Sequence, residues 1–252
     1  MPQQPSSPDV RVFADEDALA RAVASAASET IVQAVAAHGR CGVALSGGST
    51  PRALYRVLAS SFRDRIPWQQ VQIFWGDERF VAATDPRNNY GMAKATLLDH
   101  VPCPSGNIHP IPTHLDTAAA AADAYDAELC AYFGDRWPRF DLILLGIGED
   151  CHTASLFPHS SALAERDRRV VSTLPEDGTE GAVARVTLTM PALWAARTVF
   201  VLVAGERKSR ALRRALAPAT KTDECPASAL RRSNGTVVWW VDRAAAPPPT
   251  ED

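Results

Sequence analysis

Leu19, Val23, Ala27, Ile31 and Val35 recur at helical spacing through an alanine-rich stretch, with Asp15 and Glu16 ahead of it and Gly39 just past it. That spacing, with acidic residues at its start and glycine at its end, predicts an amphipathic helix over 15–38. Short runs rich in Val, Ile and Leu follow at 42–45, 71–75, 141–145, 185–189, 198–203 and 236–241. They are nearly continuous in apolar character, as strands covered on both faces are. Helical patterns lie between them at 51–60, 89–98, 116–133 and 206–216. Strands alternating with helices predict a layered α/β fold with a mainly parallel central sheet flanked by helices. No linker or repeat interrupts the pattern, so a single α/β domain is expected over 10–243. Residues 1–9 and 244–252, rich in proline and poor in apolar side chains, read as disordered tails.

Composition narrows the function. Among 252 residues, Lys+Arg 26 against Asp+Glu 29 leaves a net charge of -3 with no basic block, which gives nucleic acid and anionic membranes no electrostatic footprint. Apolar stretches such as 199–204 are far shorter than the roughly 20 residues of a membrane span. The amino terminus has no secretory pattern, so a cytoplasmic protein acting on a small molecule, without an obligatory protein partner, is expected. Cys41, Cys103, Cys130, Cys151 and Cys225 are scattered without a CxxC pair, so reduced thiols are expected and no redox role is assigned. His38, His100, His109, His114 and His159 share no metal-ligand spacing, predict no metal site and are assigned to loops or surface. Trp239 and Trp240 fall in a predicted strand as core.

In a parallel sheet, ligands bind beyond the carboxyl ends of the strands. Three strand ends carry chemistry. The first, Leu45-Ser46-Gly47-Gly48-Ser49-Thr50-Pro51, runs into a helix opened by Pro51, a residue suited to the first helical position. Adjacent glycines and a helix amino terminus make either a phosphate cradle or a tight turn that binds nothing. The second, Trp75-Gly76-Asp77-Glu78-Arg79, places Asp77 and Arg79 on one side of an extended segment and Glu78 on the other. A solvated ion pair is the bland alternative. The polar stretch 86–91, which includes Asn89, is suited to closing over a hydrophilic ligand. The third joins Gly146-Ile147-Gly148 to Glu149-Asp150-Cys151-His152. An imidazole there can take and return a proton at neutral pH, with Asp150 orienting it.

Taken in order, Leu45 to Pro51, Trp75 to Val81, Asn89 to Gly91, Gly146 to Pro158, Arg185 to Thr189 and Gly205 to Lys208 resemble the glucosamine-6-phosphate isomerase/6-phosphogluconolactonase family, most nearly its lactonases. The similarity runs from about Val10 to Asp242. It implies a modified Rossmann-like fold and hydrolysis of 6-phospho-D-glucono-1,5-lactone in the oxidative pentose phosphate pathway, without metal or organic cofactor. It further implies that His152 is the catalytic histidine, Arg79 the active-site arginine, and Ser46 to Thr50 the phosphate-binding turn, with Arg185 and Lys208 facing the sugar phosphate. Asp77 is placed near substrate hydroxyls. Arg79 or backbone N–H groups of the 146–151 turn are candidate oxyanion donors.

Departures from the family pattern fall at three places. Cys151 stands where glycine is usual, adding a Cβ at a turn suited to positive φ. Trp194 stands where asparagine is frequent and is expected to narrow or reshape the pocket. Asn88 precedes Asn89 and Tyr90 where serine is frequent. Two rivals are weighed. A glucosamine-6-phosphate deaminase would use Asp77 as a carbon base, but such enzymes carry Glu where this chain has Phe157. A sugar-phosphate sensor would need an attached DNA-binding module, which the residues before Val10 are too few to form.

Overall fold

Asp15 starts the first helix by accepting the Ala18 N–H at 2.7 Å, and Gly39 ends it at φ 74°, returning its own N–H to the Val35 carbonyl at 2.8 Å. Both ends match the expectation from sequence. The computed structural model describes residues 8–134, 137–174 and 182–246. Along the chain these form β1 (Asp9–Phe13), α1 (Glu16–His38), β2 (Cys41–Leu45), α2 (Ser49–Ser61), β3 (Val71–Trp75), β4 (Asp77–Arg79) and α3 (Asn89–Thr96). There follow α4 (Ala118–Phe133), β5 (Leu142–Gly146), β6 (Val170–Thr173), β7 (Arg185–Leu188), α5 (Met190–Trp194), β8 (Thr198–Val203), α6 (Ser209–Leu216) and β9 (Thr236–Asp242).

Six strands form a parallel sheet in the order β1-β9-β8-β5-β2-β3. Every residue of β2 is buried, as a strand covered on both faces requires. Helix α1 packs on α2 and on β9, and it buries Leu19, Val23 and Ile31, none more than 3% exposed. Burial of each such side chain contributes ~1.5–3 kcal/mol relative to exposure. Among the described residues no helix is long and apolar enough to cross a membrane.

The predicted run 185–189 is a strand, but not one of the central sheet. It forms β7, the middle of a separate antiparallel sheet ordered β4-β7-β6, and α4 packs against that sheet. Its apolar residues report burial but not which sheet receives them. Strand β1 also departs from expectation, because Asp9, assigned to a tail, pairs with Val238. As an edge strand with Val12 half exposed, β1 lacks the apolar run that marks the others. At the other end Ala245 is buried, its N–H donating to Asp242 Oδ1 at 2.7 Å. The remainder of both assigned tails, 1–7 and 247–252, lies outside the described residues.

The two sheets meet at Gly76. Its N–H donates to the Leu45 carbonyl at the end of β2, and its carbonyl accepts from Leu188 N–H of β7 at 2.8 Å. Two buried tyrosines tie the neighbouring strand ends. Tyr55 Oη accepts from Ser46 N–H at 3.0 Å and donates to Ser46 O at 2.8 Å. Tyr125 Oη does the same for Trp75, at 2.8 and 3.0 Å. Burial pushes both phenol pKa values up, so both stay neutral donors and acceptors.

Candidate active site

Beyond these strand ends lies a cavity of about 320 Å³, walled by the β2–α2 turn, β4, the 146–157 segment, β7 and Lys208. It opens at the carboxyl ends of β2 and β5, where a doubly covered parallel sheet places its ligands.

The β2–α2 turn supplies the first wall. Gly48 holds φ 113° ahead of α2, and no side chain caps that helix. The first N–H groups of a helix have no partner within it, so the turn presents donors and a positive dipole end to the cavity. Pro51 is the third residue of α2, not its first as the sequence suggested, and Ser49 and Thr50 open the helix.

Strand β4 supplies the second. Asp77 and Arg79 face the cavity, whereas Glu78 turns away and is only 1% exposed, as the two-residue alternation required. Glu78 Oε1 accepts the N–H groups of Arg79 and Asn89, both at 2.7 Å, and Oε2 accepts that of Tyr90 at 2.8 Å. Burial outweighs these donors and pushes its carboxyl up to about 7. Asn89, anchored in this way, receives Arg79 Nη1 on its amide oxygen at 2.8 Å and donates to the Asp77 carbonyl at 2.9 Å. Ser155 Oγ donates to Asp77 Oδ2 at 2.6 Å. The 86–91 stretch, expected to close over a ligand, leads into α3: 86–87 form a turn, Asn88 caps the helix by accepting from Gly91 N–H, and 89–91 are its first residues. Sequence reasoning assigned no role to Glu78 or Ser155; only the place of Glu78 opposite its neighbours hinted at one.

The third wall carries the histidine. Asp150 Oδ1 sits 2.6 Å from His152 Nδ1 and also accepts the His152 backbone N–H at 3.2 Å. Burial works against ionising Asp150, but the hydrogen bonds and charge of His152 more than offset it and hold the carboxyl below its ordinary value. In the neutral ring a carboxylate facing Nδ1 assigns the single proton to that nitrogen and leaves Nε2 with its lone pair. Gly148 makes the arrangement possible, because a Cβ there would overlap both the imidazole and the Asp150 carboxylate. The Phe157 ring lies 4.8 Å from that of His152.

Two cations complete the site. Arg185 faces Arg79 across the β4–β7 ladder, and its pKa is lowered by burial and then by that neighbour. Lys208 follows Gly205, whose N–H is held by both carboxylate oxygens of buried Asp242 at 3.1 and 3.0 Å. Among the described residues four buried side-chain polar atoms have no partner, and two of them, Ser46 Oγ and Arg185 Nη1, belong to residues lining this cavity. Native structures leave few such atoms unpaired. Thus Ser46, Gly47, Gly48, Ser49, Thr50, Asp77, Arg79, Asn89, His152, Arg185 and Lys208 converge, and Asp150 stands behind the histidine.

Residues 14–239 match the sequence profile of the glucosamine-6-phosphate isomerases/6-phosphogluconolactonase family. The chain belongs to that family. A 6-phosphogluconolactonase of Synechocystis is 38% identical over 95% of this chain and 97% of its own, and one of Mycobacterium tuberculosis is 38% identical over 95% and 98%. The solved 6-phosphogluconolactonase of Trypanosoma brucei superposes with a TM-score of 0.83 at 30% identity, covering 94% of this chain and 97% of that one. A monomeric glucosamine-6-phosphate deaminase, at 21% identity and a TM-score of 0.80, shares the fold.

Within this family member two expectations need correction. Cys151 and Cys225, expected as reduced thiols, are joined as a disulfide with their Cα atoms 4.8 Å apart. Nothing in a separation of 74 residues announces the pairing. Cys151 does hold the positive φ its turn suggested, at 82°. Trp194, expected to reshape the pocket, lies outside the cavity wall, with its indole N–H donating to the Ala229 carbonyl at 2.8 Å. His109 lies in a loop, as expected, with its ring stacked on Phe74 at 4.4 Å and 2.7 Å from Glu128.

Proposed function

We propose that this lactonase-family chain hydrolyses 6-phospho-D-glucono-1,5-lactone to 6-phosphogluconate, a step of the oxidative pentose phosphate pathway, with His152 as the general base. The observation that carries the reading is the shared cavity: a histidine with a free Nε2 at one wall, and an unpartnered guanidinium nitrogen and hydroxyl at the others. Lactonase names among relatives that match nearly the full length of the chain support the same reaction.

The 6-phosphate sits at the amino terminus of α2, where backbone donors and the helix dipole meet Arg185 and Lys208. A guanidinium grips such a dianion with two donors, and an ammonium adds a point charge. Anchored there, the ring extends toward His152. Nε2 removes a proton from water as the water attacks C1, a contribution of typically ~10²–10⁴-fold. Asp150 holds the ring and balances the imidazolium. Gly148 and Cys151 N–H groups are already bonded within their own turn; we assign the oxyanion donor to Arg79, which lines the cavity, an effect on the order of 3 kcal/mol in a preorganised site. Protonated His152 then donates to the departing ring oxygen. Asp77, fixed by Ser155, accepts from substrate hydroxyls.

The deaminase alternative would need a carboxylate to assist ring opening where Phe157 puts an apolar ring against His152. The decisive assay supplies freshly generated lactone and follows 6-phosphogluconate through an added dehydrogenase. Formation well above spontaneous opening is expected; a rate equal to the enzyme-free control would overturn the reading.

A further inference from the structure

Three described residues other than glycine have positive φ, and all three lie between 151 and 159: Cys151 at 82°, Ala154 at 49° and His159 at 62°. Side chains rarely adopt this region, and residues persist there only where their surroundings over-determine them. For Cys151 and His159 the surroundings include the segment 217–227. Its Cys225 is bonded to Cys151, and its Ala227 N–H donates to the Cys151 carbonyl at 3.1 Å. The Asp223 carbonyl accepts from His159 N–H at 2.9 Å, and the Asp223 carboxylate lies 2.7 Å from His159 Nδ1. Arg231 fixes the strap in turn, donating to the carbonyls of Ala217, Pro218 and Thr220. The next residue after Cys151 is His152, whose carbonyl and ring are both set by this turn.

We propose that the Cys151–Cys225 bond is a positioning element of the active site: it holds Cys151 in the left-handed region so that His152 stays seated on Asp150, and its cleavage by a dithiol lowers turnover while sparing phosphate binding. The inference rests on His152 being the base. In the exchange a thiolate of the dithiol attacks one sulfur, and its second thiol resolves the mixed disulfide. Two electrons and two protons pass to the protein, giving two thiols and the cyclic oxidised reductant. Both cysteines are buried, so exchange proceeds through opening of the strap, whose Lys221, Asp223 and Glu224 are exposed. Once the bond is cut, a residue with a Cβ at 151 relaxes toward negative φ and carries His152 with it; glycine would not. The phosphate grip at the α2 terminus and Arg185 belongs to other elements.

The test compares protein purified without reductant, the same protein after dithiothreitol, and two double variants, Cys151→Ser with Cys225→Ser and Cys151→Gly with Cys225→Ala. Peptide mapping after alkylation is expected to find 151 and 225 linked before reduction and alkylated after it. Reduction and the serine pair should each lower kcat by about tenfold with KM within about twofold, because misplacing a catalytic group costs rate. The glycine pair should keep kcat within about threefold and be indifferent to the reductant. Circular dichroism and the thermal midpoint report folding in each case. Should a folded serine pair match the oxidised enzyme, or the glycine pair fall with it, or both cysteines alkylate without reductant, the positioning role is lost although the lactonase reading stands. Absence of lactonase turnover in every sample overturns both.

Discussion

Gly47 passes so close to Asn89 that a Cβ at position 47 would overlap the Asn89 amide. That amide receives Arg79 Nη1 at 2.8 Å, so a backbone position in the proposed phosphate turn governs the aim of the proposed oxyanion donor. Gly47→Ala is therefore expected to displace Asn89, lower kcat/KM about tenfold or more, and reduce stability by ~1–3 kcal/mol through overpacking. Steady-state kinetics and a thermal melt measure the two effects. Unchanged kcat/KM would detach Asn89 from Arg79 function.

For the histidine the expectation is sharper. His152→Ala should lower turnover by ~10²–10⁴-fold and leave the far-ultraviolet spectrum as it was, since the ring is a third exposed and lies in a loop outside every helix and strand. Asp150→Asn should fall between that variant and the parent, because the imidazolium loses its countercharge. Full activity in the alanine variant would remove the base.

Arg185 and Lys208 are expected to bind phosphate, not to drive the chemistry. Arg185→Met or Lys208→Met should raise KM for the phosphorylated lactone by about 10–100-fold, the equivalent of one lost charged hydrogen bond of ~1.5–3 kcal/mol. Hydrolysis of glucono-1,5-lactone, which lacks the phosphate, should change little. Equal losses on the two substrates would place these cations elsewhere in the mechanism.

Glu78 sets a pH dependence of stability. Its carboxyl is raised from 4.5 to about 7 by burial, so the folded chain binds this proton more tightly than the unfolded chain does. The resulting stabilisation is complete below about 4.5 and is lost as pH rises through about 7. Glu78→Gln should flatten that part of the profile. It should also cost ~1–3 kcal/mol, because an amide NH₂ then faces the Tyr90 N–H. Urea unfolding at intervals from pH 5 to pH 8, roughly spanning the shifted range, measures both; parallel profiles for parent and variant would refute the assignment.

The strand ends were the legible part of this sequence. Apolar runs closing on Ser46, Asp77 and Gly146 mark where a parallel sheet stops, and the side chains just beyond them line one cavity. Asp77 and Arg79 faced it and Glu78 did not, because alternation along a strand is local geometry. The Arg185 strand was legible as a strand but not as a member of the smaller sheet, since apolar residues specify burial without naming a partner. Glu78 holding the start of α3, the Ser155 bond to Asp77 and the Cys151–Cys225 bridge each join residues far apart in the chain, and no periodicity carries such pairings. Cys151 lies between: its unusual backbone was readable from the turn, its partner was not.

The paired phenols of Tyr55 and Tyr125 act where the sheet gives way to loops. Each supplies, from a helix behind the strand, the hydrogen bonds that another strand would otherwise provide. The scaffold is thereby hemmed at its working edge, so the loops rising from it are free to diverge in length and composition without unravelling the strands beneath.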